Sequence, residues 1–440
     1  MDSRFLERLP NGFNSLEDFL SNAYPADIAD FLINLNYSDM EYVLKRMSIG
    51  VLAEVVSFFD YDLQNFISKK FSEKKLSKIL ALMFSDDAAD FLGSMPVGKV
   101  KDVLKLMKEK QASELQRLLG YDDESAGGLM STEYLAFYSD NTAARVLEKL
   151  RMIGPEPGMI YYIYVISRNK ELLGVLSVRQ LLSAPVNEKL KNLMTENVIK
   201  VEINMDQEEA AHILAKYDLL AVPVINKKNQ LMGIITVDDA IDVIEEEATE
   251  DIYKMAATSD IPSGHLIDAV KKRIPWLLIL LVGDLLSGSV IKGFEHSLQR
   301  IVALAIFIPV LMDMGGNMGT QSLTVVVRGL ATGELHFSNF WKHLWNELKV
   351  GFVMAFVLGI IISIAAFLWQ GNPLLGLVVG VSMFITLLTA VAAGTSIPFI
   401  MEALGADPAV AAGPFITTLI DISGLFIYFT MATLLMEKLI

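Results

Sequence analysis

The chain has 440 residues, 52% of them hydrophobic, yet it carries a formal charge of −15. That acidity excludes nucleic acid as a partner, because phosphate binding needs clustered Lys and Arg. The chain has no cysteine, and its five histidines form no His-Glu-x-x-His pattern, which removes disulfides, thiolate metal sites and zinc-hydrolase chemistry.

Charges are dense up to about residue 273, whereas long apolar runs dominate from Trp276 onward. The change predicts a soluble region followed by a membrane region. Met1 to Asn14 contains no apolar signal core, so the soluble half is expected to stay in the cytosol.

Residues 1–125 read as short amphipathic helices. Asp27-Ile28-Ala29-Asp30-Phe31-Leu32 returns as Asp87-Ala88-Ala89-Asp90-Phe91-Leu92, a repeat that predicts stacked helical hairpins. Ser38-Asp39-Met40-Glu41 has the form of a capping box. Gly93 to Val100 approaches a phosphate-binding loop, but Val100 has no hydroxyl for Mg²⁺ and no strand precedes it, so it reads as a helix connection.

A second duplication follows over 126–192 and 193–237. Leu129-Met130-Ser131 recurs as Leu193-Met194-Thr195, and Leu172-Leu173-Gly174-Val175-Leu176-Ser177 recurs as Leu231-Met232-Gly233-Ile234-Ile235-Thr236. Each unit reads as helix, β-hairpin, helix. The strands are Tyr161 to Ser167 and Ala221 to Asn226, and Asn169-Lys170 and Lys228-Asn229 supply the turns. The duplication resembles a tandem pair of cystathionine-β-synthase (CBS) domains; a duplicated structural domain without a ligand is the alternative.

The segment 238–273 begins with Asp238, Asp239, Asp242, Glu245, Glu246, Glu247, Glu250 and Asp251. Like charges four residues apart, such as Asp242 with Glu246, destabilise a helix by a few tenths of a kcal/mol each. Divalent ions bridging this helix to another acidic surface would relieve the repulsion. A solvated acidic face is the alternative.

Five apolar stretches, about 276–292, 301–327, 350–369, 374–401 and 409–436, are each near the ~20 residues a helix needs to cross a bilayer. Lys271-Lys272-Arg273, Arg328, Lys342 and Lys349 place their ends in the cytosol, which leaves the C-terminus outside. Phe337 to Asn346 reads as an interfacial helix.

Asp284, Asp313 and Asp421 lie inside these spans. An Asp at mid-bilayer costs roughly 2.5–3.5 kcal/mol, so such residues usually face water or a partner. Asp313 to Ser322, with Gly315, Gly316, Gly319, Asn317 and Gln321, and Gly413-Pro414 with Thr417 and Thr418 read as places where the helix loosens and exposes carbonyls to a cation; tight helix packing is the alternative account of the glycines, though it leaves Asn317 and Gln321 unexplained. Asp284 and Asp421 superficially supply the pair an intramembrane aspartyl protease needs. Acidic spans disfavour an anion channel.

Pro309 through Arg328-Gly329-Leu330-Ala331, and Asp407-Pro408-Ala409 through Gly413-Pro414 to Asp421-Ile422-Ser423-Gly424-Leu425, resemble the MgtE family of bacterial magnesium channels. The resemblance covers essentially the whole chain. It implies a mainly α membrane protein with a cytosolic helical-repeat N domain (1–125), a CBS pair, a linking or plug helix (238–273) and a five-helix pore domain (274–440).

It further implies a non-enzymatic, passive Mg²⁺ channel of the plasma membrane, homodimeric, with Asp421 from both copies as the filter and Asn317, Asp313, Gly413 and Thr417 beside it. Sensor ligands fall on Glu54, Asp86, Asp90, Asp206, Glu208, Asp218, Asp239, Asp242, Glu247, Glu250, Asp251 and Asp407. A CBS nucleotide site, for ATP or another adenine nucleotide, falls on Tyr162, Arg179, Thr236 and Asp239, although Gln180 stands where the first unit's pattern has a carboxylate. Oxygen ligands alone do not rank Mg²⁺ against Mn²⁺ or Co²⁺.

Overall fold

The computed structural model describes residues 9–435 apart from 11, 154–161, 257, 259–265 and 412. Tyr161, where the first CBS strand was expected to begin, part of the linking segment and residues 1–8 lie outside the described residues. The chain divides into two compact units, Met1–Ile244 and Glu245–Ile440.

The first unit opens with short helices: α1 Leu16–Asn22, α2 Pro25–Ile33, α3 Tyr37–Leu44, α4 Ile49–Val56, α5 Tyr61–Lys70, α6 Glu73–Leu80, α7 Ser85–Gly93, α8 Val97–Leu104 and α9 Glu109–Leu118. The sequence echo is an echo of burial. Ile28, Ala29, Phe31 and Leu32 of α2 and Ala88, Ala89, Phe91 and Leu92 of α7 are the buried residues of their helices. Ser15, Asn36, Ser48 and Asp60 each accept from a backbone N–H three residues on, which satisfies donors that a helix start leaves open. The capping box expected at Ser38 is therefore displaced: Asn36 is the cap, and Glu41 instead binds Lys45 at 2.6 Å and Lys70 at 2.7 Å.

The duplicated region contains α10 Ala126–Leu129, β1 Leu135–Tyr138, α11 Ala143–Ile153, β2 Tyr162–Ile166, β3 Leu172–Ser177, α12 Val178–Ser183, α13 Leu190–Leu193, β4 Val201–Glu202, α14 Gln207–Lys216, β5 Ala221–Ile225 and β6 Leu231–Thr236. Each sheet is a hairpin with a parallel edge strand, β1-β2-β3 and β4-β5-β6. The edge strands β1 and β4 were not expected. Lys170 and Asn229 adopt left-handed φ of 64° and 56° in the two hairpin turns.

The repeated motifs hold the two duplicated units together. Ser131 pairs with Ile234 of the other unit, and Thr195 pairs with Val175. A side chain at Gly174 would collide with Met194, and one at Gly233 with Met130, so each repeated glycine is the slot for the other unit's repeated methionine.

Helix α15, Val237–Met255, contains the division between the units. In the second unit, α16 Leu266–Gly293, α18 Ala303–Ala331, α19 Phe340–Gln370, α20 Pro373–Ala403 and α21 Gly413–Leu434 include five stretches long and apolar enough to cross a membrane. A short helix, α17 Glu295–Arg300, joins the first two. The central α20 packs against α18, α19 and α21, while α16 lies against α21.

Two expectations change here. Phe337 to Asn346 is not a separate interfacial helix: Phe337–Asn339 is a single 3-10 turn that leads directly into α19, and Phe340 to Asn346 are the first turns of that helix, continuous to Gln370. Exposed Trp345 and Trp369 mark its two ends, about 36 Å apart by helical rise and suited to the headgroup levels. The loosening expected at Asp313 to Ser322 is absent, because α18 is one helix over Ala303–Ala331. Its glycines serve packing: a Cβ on Gly394 of α20 would strike the carbonyl of Gly319, and one on Gly319 would strike Ile420 of α21. Close backbone approach stabilises helix pairs where lipid supplies no hydrophobic drive.

Gly394→Val is therefore expected to destabilise the membrane unit by roughly 1–3 kcal/mol through overpacking, read as a lower thermal midpoint in detergent. Gly288→Ala, at a site open to its surroundings, is the control expected to leave the midpoint in place. Equal midpoints for the two variants would dismiss this account of the glycines.

Candidate cation-binding sites and the membrane path

Three acidic constellations emerge, one in the first unit and two in the second. The first is a cavity of about 510 Å³ lined by Glu54, Asp86, Asp87, Glu133, Asp238, Asp239 and Asp242, with no Lys, Arg or His among its lining residues. Asp86 and Asp87 occupy the first turn of α7, and Asp238 and Asp239 the first turn of α15, where helix dipoles favour negative charge. Glu133 is fixed by three donors: its Oε2 accepts from the Ser85 N–H at 3.3 Å and from the Ser85 and Ser131 hydroxyls at 2.7 Å each. Asp239 accepts from the Thr236 hydroxyl and, at 3.4 Å, from its N–H.

Burial, then repulsion from Asp239 and Asp87, pushes the Asp86 carboxyl well above its ordinary range. Burial, then Asp239 and Asp90, raises Asp87 to about 7. Burial raises Asp239 to about 6 against the opposing Thr236 hydrogen bond. Asp86 Oδ1 is buried without a hydrogen-bond partner. Acceptor-only oxygens, crowded and partly orphaned, fit a hard divalent cation. Among the described residues, no three Asp, Glu or His side chains stand close enough to share one ion directly.

Not every expected sensor residue joins this cavity. Glu54, Asp86, Asp239 and Asp242 line it, but Asp90 is exposed on α7 and is not among its lining residues. Asp206 caps α14, accepting from the Glu208 N–H at 2.9 Å; Glu208 lies 3.5 Å from His212; Asp218 takes a left-handed φ of 51° after that helix. Asp87 and Glu133 went unpredicted. The Asp87 signal was available, since the residue opens the α7 repeat motif; Glu133 carried none in the sequence.

The second constellation closes α15 within the second unit. Lys254 Nζ lies 2.7 Å from Glu250 Oε1 and 2.7 Å from Asp407 Oδ2. Burial works against the Lys254 charge, but hydrogen bonds to Asp407 and Glu250 outweigh it and hold the ammonium above its ordinary pKa. Asp251 is raised to about 6 by burial and then by Asp407. Glu247 lies one turn before Asp251 on the same helix.

The third lies among the membrane helices. Asp313, Asn317, Gln321, Thr324 and Arg328 recur at three- or four-residue spacing, hence on one face of α18, and all are exposed. Half-buried Asp421 of α21 feels the charges of Asp284 and Asp313. Gly283 permits this approach, because a Cβ there would collide with Thr418. Thr417 stands one turn before Asp421, and Gly413 begins the helix.

The residues expected to hold a nucleotide divide between places. Tyr162 lines a cleft of about 120 Å³ with Tyr164, Asn197, Ile199 and Pro223, whereas Thr236 and Asp239 belong to the acidic cavity. Arg179 is exposed at the start of α12 and is not among the cleft's lining residues. Gln180 closes a capping box with Ser177, the counterpart of Asp239 with Thr236.

Comparison with known proteins matches residues 308–431 to the MgtE model, a divalent cation transporter, 23–124 to the MgtE intracellular N domain, and 126–187 and 190–246 to CBS domains. The magnesium transporter MgtE of Bacillus subtilis is 37% identical over 429 residues, covering 97% of this chain and 94% of the relative. The chain belongs to the MgtE family. The MgtE of Thermus thermophilus is 35% identical over 434 residues, 96% of this chain and 95% of that one. A solved structure described as the cytosolic domain of the Mg²⁺ channel MgtE in complex with ATP is 33% identical, covers 51% of this chain and 92% of its own, and superposes with a TM-score of 0.48. The N-domain and CBS segments of these matches supply the cavity, and the transporter segment holds Asp313, Asp407 and Asp421, whereas Glu247, Glu250, Asp251, Lys254 and Asp284 lie between the matched segments.

Proposed function

We propose that the chain is a homodimeric channel that passes Mg²⁺ inward and closes when cytosolic Mg²⁺ binds its acidic surfaces. The observation that carries this reading is the polar stripe of α18 with Asp421 beside it, amid helices that are otherwise apolar. Such a stripe is tolerated at membrane depth when it faces water. Relatives named magnesium transporters, similar over nearly the full chain, point to the ion and away from the peptidase alternative.

In this reading two copies bring their Asp421 carboxylates to a shared path, and Asp313, Asn317, Thr417 and the Gly413 carbonyl assist. A hydrated Mg²⁺ suits such a filter, since the ion sheds water reluctantly and is held through its shell. No pump is needed, because a divalent ion entering through ~100 mV gains roughly 4.6 kcal/mol. The N domain to residue 125, the CBS units 126–192 and 193–237 and the linking helix 238–273 form the cytosolic sensor; the pore domain 274–440 leaves the C-terminus outside.

Regulatory ions would lie in the cavity of Glu54, Asp86, Asp87, Glu133, Asp239 and Asp242, and at Glu247, Glu250, Asp251 and Asp407. Asp90, Asp206, Glu208 and Asp218 would act as a diffuse acidic surface. An adenine nucleotide would place its base in the Tyr162 cleft with Arg179 toward its phosphates, the cleft being too small to enclose a whole nucleotide.

The test is flux into liposomes with Mg²⁺, Co²⁺, Mn²⁺ and Ca²⁺ compared at equal driving force. Mg²⁺ is expected to pass fastest, and Mg²⁺ on the cytosolic face to stop it. Faster Mn²⁺ or Co²⁺ would replace the ion; flux indifferent to cytosolic Mg²⁺ would remove the gate.

A further inference from the structure

Asp407 has no spare oxygen. Its Oδ1 accepts from the Ala409 N–H at 2.7 Å, fixing the turn Pro408–Ala411 between α20 and α21, and its Oδ2 takes Lys254 at 2.7 Å. The same ammonium reaches back one turn to Glu250. Both partners are substantially covered, with side-chain exposures of 29% for Lys254 and 34% for Asp407. The last turn of α15 is thus bonded to the connection between two membrane helices by a cation that the chain itself supplies.

We propose that Lys254 is a tethered counter-ion for Asp407, which holds the end of α15 on the α20–α21 connection while no divalent ion is bound and releases the carboxylate to Mg²⁺ when one arrives. The proposal rests on the reading of α15 as the gating helix and adds a residue to it. An ammonium is a compact point charge on a flexible stem, able to withdraw without moving its helix. Its single charge leaves Glu250, Asp251 and Asp407 under-neutralised, whereas a divalent ion brings two charges and prefers oxygen ligands. Lys254 and Mg²⁺ are therefore alternative occupants of one position: the first keeps the contact in low Mg²⁺ and the second strengthens it.

A water-soluble carbodiimide tests this on the unaltered full-length protein, since it joins a carboxylate to an amine only when the two touch. After EDTA treatment and exchange into metal-free buffer without chelator, a Lys254–Asp407 amide is expected by peptide mass spectrometry, and Mg²⁺ added before the reagent is expected to suppress it. Currents from excised patches supply the second arm. With EDTA on the cytosolic face, Lys254→Met is expected to conduct about three- to five-fold more than the parent, the scale of one partly exposed charge pair, and Lys254→Arg to match the parent. A cross-link that Mg²⁺ leaves unchanged, or Lys254→Met currents equal to the parent's in EDTA, would overturn the counter-ion role. If Mg²⁺ displaces the cross-link but does not close the parent channel, the exchange stands and the gating assignment of α15 falls.

Discussion

Replacing Asp421 with alanine is expected to lower Mg²⁺ flux about ten-fold or more while leaving the protein folded. The side chain is half-buried on α21, and two other intramembrane carboxylates, Asp284 and Asp313, act on it electrostatically. Three acids gathered at this depth are costly unless a cation is present for part of the time. Removing one should make the apo helix bundle no less stable, because it relieves like-charge repulsion. The loss should fall on the ion, since the local field weakens and, in a dimer, weakens twice. Asp421→Asn separates charge from shape and should resemble the alanine variant; Asp421→Glu should retain part of the flux. Circular dichroism and the thermal midpoint in detergent supply the folding control. A folded alanine variant that carries Mg²⁺ like the parent would move the path away from α21.

What the sequence disclosed depended on how local each determinant is. The five long apolar helices, the N-domain repeat and the CBS hairpins depend on runs of neighbouring residues, and all were visible before the structure. The parallel strands β1 and β4 were not. Each is short, β4 comprising only Val201–Glu202, and each becomes a strand by pairing with a hairpin that follows it in the chain. The same limit explains Ser38. Asn36, two residues earlier, is equally able to cap, and pattern alone does not rank the two.

The glycines of α18 admitted two readings, loosening and tight packing, because a glycine looks alike in a sequence whether it loosens its own helix or admits a neighbour. The neighbour here, α20, lies more than sixty residues away. Candidate residues followed the same rule. Asp313, Asn317 and Asp421 stood out as polar groups in apolar surroundings. The acidic cavity joins α7, the segment before β1 and the start of α15, so Glu133 acquires its place only through Ser85 and Ser131 in the folded unit.

That cavity should make the first unit sensitive to pH in a direction opposite to that of ordinary ion-paired acids. A carboxyl whose pKa is raised on folding holds its proton more tightly in the native state than in the opened one. The native state then binds more protons wherever the pH lies between the two values, and stability falls as pH rises through that window. With Asp87 lifted from 3.8 to about 7 and Asp239 to about 6, the loss from these two groups should run from about pH 4 to about pH 7, and Asp86, held well above its ordinary range beside them, adds to it in the same direction. For Asp87 alone the shift corresponds to roughly 4 kcal/mol; because Asp239 is among its causes, the two contributions overlap rather than add. Hydrogen exchange across α7, corrected for the intrinsic pH dependence of exchange, should report this as opening that becomes easier by roughly 3–5 kcal/mol over that interval in EDTA. Millimolar Mg²⁺ should flatten the slope, since a cation offsets the repulsion that the proton otherwise removes. Asp87→Asn and Asp239→Asn should each flatten it in EDTA as well, and should protect α7 most at the alkaline end. A level profile in EDTA would mean that these carboxylates are bathed in water, and Mg²⁺ would then have no repulsion to relieve in closing the cavity.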